Sequence, residues 1–157
     1  MPQQVLESGL PPLWWVGCHG GAGVTTLATM TNLGAEMGAA WPQVPPDWRI
    51  QPVVLVARGS ASGLRAATGA AEQWRARAVA NVRVLGLVVV AASPKRPPKV
   101  VTERLQLLGG WLPTILRVGW VDALLAADNP LDVGVPPDVE AVRHRFQKIL
   151  NDEVGAP

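Results

Sequence analysis

Residues 14–26 read Trp-Trp-Val-Gly-Cys-His-Gly-Gly-Ala-Gly-Val-Thr-Thr. An apolar run from Leu13 to Val16 meets Gly17, Gly20, Gly21 and Gly23, and Thr25 and Thr26 then open a helical pattern. A chain written this way must leave a buried strand, turn sharply and enter a helix. Glycine permits such a turn because it has no Cβ to clash. Strand, glycine turn and helix start together are the layout of a phosphate-holding loop, in which backbone N–H groups and the helix dipole face the anion. A working loop of that kind carries Lys just before its Ser/Thr; here that position is Val24. Gly20, Gly21, Ala22, Gly23, Val24, Thr25 and Thr26 are therefore the candidate nucleotide- or anion-binding residues. The alternative is a tight strand-to-helix turn with no ligand.

The rest of the chain alternates strand and helix patterns. Residues 1–12 are polar, end in Pro11-Pro12, and read as a flexible N-terminal arm. Strands are expected at 13–17, 53–57, 83–91 and 114–118. A first helix is expected from Thr25 to about Met37, with Leu27, Met30 and Leu33 at helical spacing. Residues 39–52 hold Trp41-Pro42, Pro45-Pro46, Trp48 and Pro52, a density of proline that predicts a loop. Ser60 or Ser62 can cap a helix running to about Val79. Ser93 to Lys99 is a stiff basic loop. Val100 to Leu108 forms a helix stopped by Gly109-Gly110, and Asp122 to Ala127 a short helical turn. Pro136-Pro137-Asp138 begins the last helix, and residues 151–157 read as a flexible tail. The pattern predicts a single α/β domain over 13–150, a three-layer, mostly parallel sheet with helices on both faces. Ligands of such sheets bind at the carboxyl ends of the strands, where the glycine turn lies.

Composition narrows the classes. The chain has 157 residues, 48% hydrophobic and 17% charged, so most of it can bury a core. Its longest apolar run, Leu85 to Ala92, is far short of the roughly 20 residues of a membrane helix, so no membrane span is expected. No basic-then-apolar leader opens the sequence, and Cys18 has no second cysteine to pair with. Both point to the cytoplasm. One Cys and two His exclude a zinc cluster of the usual type, and no metal is expected. A net charge of +2 is too mild to require nucleic acid. Seven Trp with no Tyr, beside abundant Ala, Gly, Arg and Pro, suggest GC-rich coding and an actinobacterial source.

His19-Gly20-Gly21-Ala22-Gly23-Val24-Thr25-Thr26 resembles the deviant Walker A motif, KGGxGKTT, of the MinD/ParA family of P-loop ATPases. Six of the eight positions agree; His19 and Val24 stand where the family has its two lysines. Val53 to Ala57 with Ser60 to Ala67, then Leu85 to Val90, then Ile115 to Asp122, resemble later strands and helices of that family. The resemblance implies a truncated P-loop NTPase-like fold. It also implies losses, because no room is seen between the first helix and Val53 for the strands carrying the metal-binding and water-positioning acids. Phosphoryl transfer depends on positioning and charge neutralisation, so a pseudo-ATPase is expected. ATP is expected to bind weakly or not at all.

Three functions follow as expectations. The first is a non-hydrolysing binding or regulatory protein of a plasmid, phage or other mobile element, whose partner is another protein or a second copy. The second is a weak ATPase completed by a partner's cation. The third is a DNA-binding accessory module using Lys95, Arg96 and Lys99, with Arg143, Arg145 and Lys148, against nucleic-acid phosphates; a solvated charged face is the alternative. Trp41 and Trp48 are candidates for an interaction surface, or for a lid folded back over a sheet edge. No catalytic residue is expected. His19 reads as a loop histidine and Cys18 as an inert, half-buried thiol.

Overall fold

A computed structural model describes residues 1, 3–5, 10–121, 129 and 134–155. In chain order its elements are β1 (Gln3–Val5), β2 (Trp14–Gly17), α1 (Val24–Thr31), β3 (Ala35–Gly38), β4 (Trp41–Gln43), β5 (Gln51–Arg58), α2 (Ala61–Arg75), β6 (Val82–Val90), α3 (Lys99–Gly109), β7 (Ile115–Val118) and α4 (Pro137–Gly155). The helical turn expected at 122–127 lies outside the described residues, as does most of the loop expected at 128–135.

Five strands make one sheet in the order β3-β2-β5-β6-β7, and every pairing in it is parallel. The chain starts at β2, steps outward to β3, then crosses back past β2 to β5 and continues to β7. This reversal makes the sheet doubly wound. Side chains alternate between the two faces, as a pleated strand requires. Leu13, Trp15, Val54, Val56, Leu85 and Val88 pack with residues of α1 and α4. Trp14, Val16, Val53, Leu55, Leu87 and Val89 pack with residues of α2 and α3. Helices thus cover both faces, and the α/β, three-layer expectation holds. Trp15 meets Phe146 of α4 edge to face, ring centres 6.2 Å apart, a geometry that suits the charge distribution of aromatic rings.

Between Thr25 and Pro52 the structure differs from expectation. α1 ends at Thr31, not near Met37. Asn32 takes a left-handed conformation (φ 48°), its N–H donating to the Ala28 carbonyl, and Gly34 is also at positive φ (75°). That pair closes the helix and turns the chain straight into β3, which pairs with β2. The segment expected as a loop contains β4, paired in parallel with β1, and β5 begins at Gln51 within it. Two strands, β3 and β4, therefore occupy the interval in which no room for strands was expected. Residues 3–5 lie in a strand inside the expected arm, and α4 extends through residues expected as a tail.

The crossover from β3 to β5 carries no helix. Ala40 and Trp41 cover that stretch of the sheet instead, joining the core on the α2 side. Trp41 is fully buried, and its Nε1–H donates to Gln73 Oε1 of α2 at 3.0 Å.

Candidate functional site

β2 delivers the glycine turn to the carboxyl edge of the sheet. The ladder to β5 continues one residue past the strand's end, where the Cys18 N–H donates to the Val56 carbonyl at 2.9 Å. The chain then reverses through Gly21 (φ 74°) and Gly23 (φ 108°). These are left-handed conformations that side-chain-bearing residues resist, which is why the turn needs its glycines. Gly23 is the N-cap of α1, and no side chain caps the helix there. The first N–H groups of α1 have no intrahelical partner, as at any helix start, and carry the positive end of the dipole.

The seven candidate residues, Gly20 to Thr26, come together around one pocket of about 270 Å³, completed by His19, Gly38, Ala39 and Arg58. Arg58 is the residue that sequence reasoning missed. It ends β5, 37 positions from Gly21, and pairing of β2 with β5 carries it to the turn. Its Nε–H donates to the Gly21 carbonyl at 3.0 Å and its Nη1 reaches the Ala91 carbonyl at 3.5 Å. Its backbone N–H donates to His19 Nε2 at 3.1 Å, while His19 Nδ1 lies 2.9 Å from the Gly20 carbonyl. An accepting Nε2 and a donating Nδ1 define one neutral tautomer of His19. The histidine thus buckles the turn to β5. Arg58, from the neighbouring strand, is the cationic side chain that lines this pocket among the described residues.

β3 brings a second unforeseen group. Thr25 Oγ1 donates to Glu36 Oε1 at 3.1 Å. Both residues are exposed, and Glu36 is not among the residues lining the pocket. Cys18 is buried, and desolvation pushes its thiol from 9.0 up to about 12, a hydrogen bond with the Val56 backbone opposing in smaller measure. The residue is buried more deeply than the half-buried position expected.

The remaining candidates lie elsewhere. Trp41 is fully buried in the core on the α2 side of the five-stranded sheet, not at its edge. Trp48 is half-buried at the opposite, amino edge of the sheet, where its carbonyl accepts from Asn81 Nδ2 at 3.1 Å. Lys95, Arg96 and Lys99 are exposed after β6. Lys99 lies 3.8 Å from Glu103, and Arg143 is 3.3 Å from Glu140. Such exposed pairs dilute a basic surface while adding little stability. No helix among the described residues is long and apolar enough to cross a membrane.

The chain belongs to the family described as "Family of unknown function (DUF6668)", which matches residues 11–127. No curated protein and no solved structure matches it. No MinD/ParA or other P-loop family matches either, so the resemblance drawn from residues 19–26 does not identify the family. The reason is physical. A sharp strand-to-helix turn favours glycine where φ is positive, and the agreement at Gly21 and Gly23 reports that turn, whereas Gly20 has no positive φ. The two lysines that report nucleotide chemistry are the positions that disagree.

Proposed function

We propose that the Gly20–Thr26 turn holds the phosphate group of a small ligand, with Arg58 as its cation, and that the chain binds this ligand without transferring the phosphoryl group. The placement of the Arg58 guanidinium at the turn carries the reading. A concave run of backbone N–H groups at a helix start attracts an anion by partial charge alone, and a guanidinium adds charge with donors in a fork that suits phosphate oxygens. Among the described residues the pocket lining has no carboxylate to act as a base or to hold a cation, whereas phosphoryl transfer relies on such groups. Holding without turnover suits a binding or regulatory role.

Titration calorimetry with inorganic phosphate and with ATP tests the reading. Phosphate is expected to bind weakly, and Arg58→Ala to weaken it about tenfold or more, as loss of a charge-assisted contact would. Glu36→Gln is expected to tighten binding by removing a nearby negative charge. ATP turnover is expected to stay at the level of a variant with Gly21 and Gly23 replaced by valine. Equal phosphate affinity in wild type and Arg58→Ala, or turnover that needs those glycines, would falsify it.

A further inference from the structure

A larger cleft, of about 560 Å³, opens on the other face of the sheet edge and shares no lining residue with the glycine-turn pocket. Its floor is apolar: Val89, Val101, Leu105 and Val118 are all core residues. Its walls are the starts of α2 and α3, at Gly59–Ala61 and Pro97–Pro98. Lys95 reaches it from the loop after β6, and Arg117 from the edge strand β7. Among the described residues neither cation has a carboxylate partner. The one carboxylate of the lining, Asp138, accepts the Gly119 N–H at 3.0 Å.

We propose that this cleft is a second binding site, for a small organic anion with an apolar ring body. Its volume lies within the roughly 300–1,000 Å³ typical of small-molecule sites, and its mostly apolar lining with a few placed polar groups is their usual composition. An apolar body takes the valine and leucine floor out of water. Lys95 and Arg117, both exposed and without a carboxylate partner among the described residues, select a carboxylate or sulfonate over a neutral head. The short side chains of Gly59, Ala61, Ala91 and Ala92 leave the space open. This proposal does not rest on the one made for the glycine turn, and a pocket of about 400 Å³ shares Gly23 and Arg58 with that turn and Ala91 and Gly119 with this cleft.

Two dyes of similar ring size test it: anionic anilinonaphthalene sulfonate and neutral N-phenyl-naphthylamine, followed by fluorescence titration and amide NMR shifts. The anionic dye is expected to shift the amides of Gly59–Ala61, Ala92, Ser93, Lys95 and Gly119. The double variant Lys95→Gln, Arg117→Gln is expected to lower its affinity about tenfold while changing the neutral dye's less than about twofold, as removal of charge alone predicts. Ala92→Trp, an exposed position where a large side chain blocks the cleft, is expected to weaken both dyes. Excess inorganic phosphate is expected to leave dye affinity unchanged. Shifts confined to other amides, an unchanged affinity in the double variant, or displacement of the dye by phosphate would each overturn the proposal.

Discussion

Cys18 shows how much a single position depends on its neighbours. It sits at the mouth of a glycine turn, where a free thiol near a helix start could be activated. Burial decides otherwise, because a thiolate there would lose its water. At neutral pH the native thiol should therefore resist Ellman's reagent, while the denatured chain reacts at once. The same burial has a stability consequence. Below about pH 9 the thiol is protonated in both states, and its contribution is complete. As pH rises from 9.0 through about 12, the unfolded chain releases a proton that the folded chain keeps, so stability falls. With no Tyr in the chain, comparing alkaline urea denaturation of wild type and Cys18→Ala isolates this effect; equal pH dependence of the two would refute it. Arg58 is the opposite case. Nothing in its local sequence marks it, since its place at the turn arises from pairing between strands far apart in the chain. Gly21 and Gly23 were legible because they answer a local backbone demand; the arginine beside them was not.

α1 and β3 show where element-level reading fails and why. Leu27, Met30, Leu33 and Met37 fall at helical spacing, and all four are buried. Yet the helix stops after Thr31, and Met37 is buried from a strand. Periodicity reports which residues face the core, and two short elements in succession can mimic one helix. Asn32 and Gly34 were the available signals for the break, since both residue types tolerate left-handed backbone. Gly34 is held more tightly than any turn glycine. It has φ 75°, and a Cβ there would run into the Leu13 carbonyl, which accepts the Ala35 N–H that starts β3. Gly34→Val should destabilise by about 3 kcal/mol or more, the sum of left-handed strain and a clash with fixed backbone. Gly20→Ala, where a Cβ meets nothing within 4 Å, should stay within about 0.5 kcal/mol. Urea midpoints measure both, and similar losses at the two positions would contradict this account.

At the scale of the whole molecule, alternating strand and helix patterns were enough for a parallel sheet with helices on both faces, because buried parallel strands read as continuous apolar runs. Strand order was hidden, since it depends on how far each crossover carries the chain. That order decides what meets at the carboxyl edge. With β2 beside β5, the glycine turn, His19 and Arg58 form one unit bridging two strands. An anion bound there ties α1 to the end of β5 and is absent from the unfolded chain, so it must stabilise the whole fold by mass action. For a millimolar site in tenfold excess of phosphate the gain is about 1.4 kcal/mol, roughly 3–6 °C in Tm for a domain of this size. Phosphate also stabilises proteins generally by exclusion from their surface, and that part acts alike on wild type and Arg58→Ala. The difference between the two proteins, each melted with phosphate and with chloride at matched ionic strength, isolates the specific part. The phosphate-induced rise in Tm should be larger in wild type than in Arg58→Ala by about 2–4 °C, with the excess saturating as phosphate rises. A gain that is equal in both proteins and linear in salt would mean that the turn holds no anion and that Arg58 serves only to brace it.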